Sequence, residues 1–179
     1  LRKLGRLYKV TGKNLRAVDE FLKILDIDAN QKDAYIELID LYTKENSPES
    51  AIGIAKKAVA NFAQDSEFKN ILANLYFKSG DYKNALETAE DDFLKAKILL
   101  QDEQNDSAKE ILNKLKEDKN MYKESNKEQL AAYYLLEAQY YYNKKEFDEA
   151  LNYVEKYTDL SLPNALSFQM KALIYEGMG

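Results

Sequence analysis

The stretch Leu72-Ala73-Asn74-Leu75-Tyr76-Phe77-Lys78-Ser79-Gly80-Asp81-Tyr82-Lys83-Asn84-Ala85 sets the architecture. Leu72 and Tyr76 stand an i, i+4 step apart, so a helix places them on one face. Gly80 is the residue type that accepts the left-handed conformation ending a helix. Ala85 is a small residue soon after that stop. The same pattern recurs upstream at intervals of 34 residues, as Leu4, Leu38 and Leu72, and as Tyr8, Tyr42 and Tyr76. Gly12, Asn46 and Gly80 form a third column, and Ala17, Ala51 and Ala85 a fourth. With 14 tyrosines in 179 residues, two chance matches in one column have odds of about one in 160. Four columns agreeing is a repeat.

Each column has a physical task. The Leu–Tyr pairs give the first helix a buried face, and Gly or Asn ends it. Ser47-Pro48 then reads as the start of a second helix, with Ser as N-cap and Pro at the first helical position. The alanines lie where that helix approaches the first closely. The repeated unit is therefore a helix, a short turn and an antiparallel helix.

Downstream the spacing changes. Ala108 follows Ala85 by 23 residues, so helices near Asp81–Ala89 and Asp92–Gln101 are expected to be short. Ala150 follows Ala108 by 42, and the excess falls in the polar stretch Asn120–Lys127, which reads as a longer loop. The period then recovers, with Ala138 and Ala172, and Tyr141 and Tyr175, each 34 apart. Phe147-Asp148-Glu149-Ala150-Leu151 reads as the start of another second helix. The expected divisions are 1–31, 32–65, a shortened 66–90, a degenerate 91–120, 121–163 with an inserted loop, and 164–179 as the first helix of a further repeat. That makes five hairpins plus one unpaired helix, about 11 helices in a single array.

These residues resemble the tetratricopeptide repeat, whose pattern runs W-x2-L-G-x2-Y, A-x3-F, then P in 34 residues. The first unit reads Leu4-Gly5-x2-Tyr8 and Ala17-x3-Phe21, with Ala29 in place of the proline. The second has Tyr35 at the tryptophan position, then Leu38, Tyr42, Ala51 and Ala58; the third has Leu72-Ala73-x2-Tyr76, Gly80-Asp81-Tyr82 and Ala85. The resemblance implies an all-α fold, an α-α superhelix or solenoid of antiparallel hairpins, with first helices lining a concave groove. Solenoids need polar capping units, and Leu1, Leu4 and Leu7 at one end and Leu173 and Tyr175 at the other are expected to leave apolar surface. The chain is on that ground expected to be an excerpt of a longer protein, and its uncapped ends offer a route to self-association.

Composition narrows the function. There is no cysteine and no histidine, which removes thiolate nucleophiles, disulfides, the usual zinc sites and any histidine base. A net charge of -5 gives no bulk reason to seek nucleic acid or anionic lipid. No stretch approaches the roughly 18 apolar residues of a membrane span. Absence of cysteine suits a reducing cytoplasm and a bacterial periplasm or envelope equally. The wealth of Asn, Lys and Tyr points to an AT-rich bacterial genome.

Two acidic segments imitate chemistry. Asp26-Ile27-Asp28-Ala29-Asn30 with Glu37 matches a calcium loop, but Gln31 stands where the sharp turn needs glycine, and the segment falls at a repeat boundary. Glu90-Asp91-Asp92 and Asp102-Glu103 supply carboxylates with no pocket signature around them, and read as solvated turn charges. No phosphate loop or nucleophile elbow is present. The expectation is no enzyme activity and no cofactor.

The resemblance implies a groove lined by Arg2, Arg6 and Lys9 from the first hairpin, then Asp33, Ile36, Asp40 and Lys44, then Glu67, Asn70, Asn74, Phe77 and Lys78. Farther on come Leu135, Gln139, Tyr142 and Asn143. Asn70 and Asn74 form an i, i+4 amide pair suited to gripping an extended peptide backbone. Among the clustered tyrosines, Tyr134 and Tyr141 are assigned to hairpin packing, and Tyr142 to the groove or to packing against a neighbour. Some family members clamp a chaperone's terminal carboxylate; Glu37, Asp40 and Glu67 would repel one here, so a partner of mixed charge is expected. The leading function is a non-catalytic scaffold holding a protein or peptide segment. The alternatives are a structural spacer in a larger assembly, and a regulatory region of an enzyme whose catalytic domain lies elsewhere.

Overall fold

The computed structural model describes residues 1–179 and contains eleven α-helices, two 3-10 turns and no strand. The fold is all-α and built of antiparallel helix hairpins. It divides into two compact units, Leu1–Glu90 and Asp91–Gly179. The division falls where the 34-residue spacing breaks down.

The first unit holds three hairpins. These are α1 (Arg2–Val10) with α2 (Asn14–Ile27), α3 (Lys32–Lys44) with α4 (Pro48–Asn61), and α5 (Ser66–Lys78) with α6 (Tyr82–Thr88). Successive hairpins stack through α2 on α3 and α4 on α5. The second unit holds α7 (Asp92–Gln101) with α8 (Asn105–Glu117), then α9 (Lys127–Asn143) with α10 (Phe147–Leu160), then α11 (Ala165–Met178) on α10. The compressed helices are the expected ones: α6 has 7 residues and α7 has 10.

The turn inside each hairpin is one motif made five times. Lys13, Ser47, Asp81, Gln104 and Glu146 donate their backbone N–H to the carbonyls of Tyr8, Tyr42, Tyr76, Leu99 and Tyr141, at 2.8 to 2.9 Å. This six-to-one bond closes a helix end whose next-to-last residue is left-handed. Gly12, Asn46 and Gly80 hold that place with φ of 72°, 53° and 80°, as their column predicts. Glu103 and Lys145 hold it in the second unit with φ of 58° and 61°, which their residue types do not announce.

The small-residue column is fully buried: Ala17, Ala51, Ala85, Ala108, Ala138 and Ala150 are all inaccessible. Gly5 works the same way, since a Cβ there would stand 3.0 to 3.3 Å from the Phe21 ring. Around these crossings pack Phe21, Leu38, Leu41 and Phe68, each sealed from water and worth roughly 1.5–3 kcal/mol. Other repeat positions lose their burial at α1 and α11, which lack a second flanking helix. Leu4 is exposed where Leu38 and Leu72 are buried, and Ala172 and Tyr175 are exposed where Ala138 is buried and Tyr141 half-buried. Leu1, Leu7 and Leu173 are likewise open, as expected of uncapped ends.

Two expectations need correction. Ser47 does stand before Pro48 at the helix start, but its hydroxyl accepts no capping bond; side-chain capping is done instead by Asp65, Asp81, Asp91 and Asn164. The polar stretch Asn120–Lys127 is not an open loop. It winds into 3-10 turns at Lys119–Tyr122 and Glu124–Asn126, because Met121 is buried with Leu112, Leu115 and Tyr133 and ties the segment down.

Candidate functional site

In the first unit the first-helix faces of α1 and α3 meet as an ionic seam. Arg2 lies 3.1 Å from Asp33 and donates to Gln31 at 2.6 Å. Arg6 donates to Glu37 at 3.1 Å. Lys9 bonds Glu37 and also Asp40 at 2.7 Å, and Asp40 holds Lys44 at 2.8 Å. Burial works against the Lys9 ammonium, but its bonds to Asp40 and Glu37 outweigh that and lift its pKa. Burial likewise works against the Glu37 and Asp40 carboxylates, yet the cations hold both below their usual range. The expected basic and acidic zones are therefore not separate stations along a groove. They neutralise each other.

The amides differ from expectation in a similar way. Asn70 Oδ1 accepts the backbone N–H of Glu90 at 2.9 Å, so this amide grips its own chain where the short α6 ends. Lys69 pairs with Glu90 at 2.5 Å beside it. Asn74 donates to the Asn70 carbonyl at 3.0 Å and remains exposed, as does Lys78. Phe77 packs on Tyr82, with ring centroids 5.8 Å apart.

In the second unit, Gln139 donates to Asn143 at 2.7 Å, and Asn143 donates to the Leu100 carbonyl and to Asn105, both at 2.9 Å. This amide ladder ties α9 to the α7–α8 turn. Tyr142 packs on Phe147, with ring centroids 6.1 Å apart. It lines an open cavity of about 520 Å³ with Asn105, Asn143 and Lys145, at the turn end of the hairpins. Tyr134 and Tyr141 both pack on Tyr153 of α10, at 6.0 and 5.4 Å, as their assignment to hairpin packing requires. Leu135 instead lines a second, mostly apolar cavity of about 320 Å³ with Ala131, Ala132, Tyr157 and Leu160.

One functional-looking group lay outside the expected set. Glu137 is buried to 1% exposure, bonded by Lys109 at 2.8 Å and by the Tyr133 hydroxyl at 2.6 Å. Burial first, and then the adjacent carboxylate, raises the Tyr133 phenol far above its usual range and the Tyr153 phenol to about 12. A signal existed: Glu137 is four residues before Tyr141, the place held by Leu4, Leu38 and Leu72 in the earlier repeats. A carboxylate in a leucine column must find a cation.

The segment resembling a calcium loop is a turn. Asp28 accepts from Gln31 at 2.6 Å and from the Asn30 N–H at 2.9 Å, bonds that lower its pKa, while Glu37 belongs to the ionic seam. The carboxylates near residue 90 are similarly engaged, Asp91 as the cap of α7 and Asp92 with Lys114 at 2.6 Å.

Residues 131–164, one full period containing Ala138, Tyr141 and Ala150, match the family model for the tetratricopeptide repeat. The match covers that one repeat. No curated protein matches it in sequence. Among solved structures, PilF of Pseudomonas aeruginosa is 21% identical with a TM-score of 0.67, over 98% of this chain and 83% of PilF. YrrB, described as a tetratricopeptide-repeat protein with an unusual peptide-binding site, is 17% identical with a TM-score of 0.64, over 94% and 88%. MamA is 22% identical with a TM-score of 0.53, over 98% and 85%. At such identities the likeness is one of fold. No helix is long and apolar enough to cross a membrane.

Proposed function

We propose that this chain is a non-catalytic scaffold that holds a protein or peptide segment on the first-helix face of its first unit. The observation that carries this reading is the seam itself. Arg2, Arg6, Lys9, Asp40 and Lys44 stand side by side on α1 and α3, locked by ion pairs with one another and with Asp33 and Glu37. Such a preformed surface of alternating sign costs little ordering entropy when a ligand binds. It favours a partner with charges of both signs, because a ligand of one sign meets repulsion from half the seam. Asn74 and Lys78, exposed on α5, extend that set of first-helix residues. YrrB, of similar fold, is described as having a peptide-binding site.

The test is capture from native lysate by the intact chain, read by mass spectrometry. One variant carries Lys44→Ala, Asn74→Ala and Lys78→Ala, all at exposed positions; a control carries Lys57→Ala on α4. A partner kept by the control and lost by the triple variant, with helicity unchanged, supports the reading. Equal recovery by both defeats it. The structural-spacer alternative is favoured by a different observation, the open apolar side chains of α1 and α11. It expects recovery to survive the triple variant and to fall when those end helices are altered.

A further inference from the structure

We infer that the turn edge of the second unit carries a binding site for a small zwitterion, an α-amino acid with an apolar side chain, in the cavity between the α7–α8 and α9–α10 turns. The backbone is the first sign. Glu103 and Lys145 hold the left-handed place of their turns with φ of 58° and 61°, where the first unit has Gly12, Asn46 and Gly80. Left-handed backbone disfavours a residue with a long side chain, and strain of this kind clusters at ligand sites. Both strained residues line one open cavity of about 520 Å³, a volume within the range of small-molecule sites.

The two side chains carry opposite charges, and neither charge is engaged. Glu103 and Lys145 are exposed, and their side chains form no ion pair or hydrogen bond with each other or with any other group. They hold equivalent places in neighbouring turns, and α7 packs on α9. Packed helices lie about 8–10 Å apart. A carboxylate and an ammonium reaching in from the two turns therefore leave room between them for a group bearing both charges.

The amides of the same cavity are held in place. Asn143 donates to the Leu100 carbonyl and to Asn105 Oδ1, both at 2.9 Å, and accepts from Gln139 at 2.7 Å. The bond to Asn105 uses its oxygen and leaves Nδ2 as an unused donor at the cavity wall. Tyr142 and Phe147 add apolar area, with ring centroids 6.1 Å apart. Gly177 lets the Phe147 ring lie close, since a Cβ there would stand 2.6 Å from it.

Charge decides the orientation of the ligand. Its carboxylate takes Lys145 Nζ and Asn105 Nδ2, its ammonium takes the Glu103 carboxylate, and its side chain lies against Tyr142 and Phe147. A ligand of one sign gains one contact and meets repulsion from the other charge, whereas a zwitterion engages both. Glycine at 103 and 145 would relax the turns and remove the site.

Magnetic resonance titration of the intact chain with L-leucine and with L-phenylalanine tests this. Both should shift the side-chain amide of Asn105 and the ring of Tyr142, with a dissociation constant on the order of 1 mM, as an open site of few contacts gives. N-acetyl-L-leucine lacks the ammonium and L-leucinamide the carboxylate, and each should bind about tenfold more weakly. Glu103→Gly and Lys145→Gly should weaken L-leucine binding by a similar factor while the turns stay folded, since glycine holds this place at Gly12 and Gly80. Weaker binding in a variant whose backbone strain is relieved separates a contact with the ligand from a structural effect. Absence of shifts with both amino acids, equal binding of the blocked forms, or binding unchanged in the two glycine variants would each overturn the proposal.

Discussion

Lys109 on α8 reaches Glu137 on α9, with Nζ 2.8 Å from one carboxylate oxygen and 3.1 Å from the other. The same ammonium lies 4.7 Å from the centroid of Tyr140 and 5.2 Å from that of Tyr141. One cation thus compensates a carboxylate buried in the position where earlier repeats have leucine. The contact is ionic and directional, where the buried Leu38 and Leu72 of the first unit make apolar ones.

Removing one partner should therefore be worse than removing both. Lys109→Ala leaves Glu137 buried with only Tyr133 to serve it and is expected to lower stability by about 3 kcal/mol. The pair Glu137→Leu with Lys109→Met restores the leucine column and is expected to be neutral or stabilising. Urea denaturation of the three chains decides the matter; equal losses for the single and double changes would contradict it.

The ionic seam makes stability depend on pH at the acid end. Glu37 and Asp40 have folded pKa values below their unfolded ones. Their contribution is complete above the unfolded carboxylate range of about 4 and is lost as pH falls through the depressed values. The melting temperature should hold from pH 7 to about 5 and fall below about 4, more steeply than in Glu37→Gln. Lys9 has the opposite sign: its pKa is raised, so its share is complete below the unfolded value and lost only as alkaline pH passes the folded one.

Gly5 and Gly53 should respond oppositely to alanine. Gly53 is helical, and a methyl added there would meet no atom within 4 Å, so Gly53→Ala should raise stability by up to about 1 kcal/mol. At Gly5 the new methyl would press on Phe21 at 3.0 Å, and the crowding should cancel that gain or exceed it by about 1 kcal/mol. Paired thermal melts test the contrast.

Glu103 and Lys145 hold left-handed backbone that costs a side chain about 1 kcal/mol. Glu103→Gly and Lys145→Gly should each stabilise the second unit by roughly 0.5–1 kcal/mol, less the entropy glycine adds to the unfolded chain. A loss of stability in either would show that the side chain contributes to the turn.

The hairpins were legible because their determinants are local and repeated. Tyr8, Gly12 and Ala17 lie within a single hairpin, and further copies made their spacing visible. The short α6 and α7 followed from the interval between Ala85 and Ala108 alone. The candidate face was less legible. That Arg6 and Lys9 would meet Glu37 depends on the rotation between neighbouring hairpins, which no spacing states. Asn70 looked available until the chain after α6 brought the Glu90 N–H to it, 20 residues on.

Helices, their stops and their antiparallel pairing are written in short runs of residues, because helical periodicity and left-handed C-caps act within about ten residues. Which polar groups remain open is settled only once the helices stack. Seam charges, the Asn70 amide and Glu137 all find partners 20 to 31 residues away. A buried or half-buried polar group must satisfy itself wherever packing delivers a partner, and that delivery is a property of stacked helices, not of the residues read one by one.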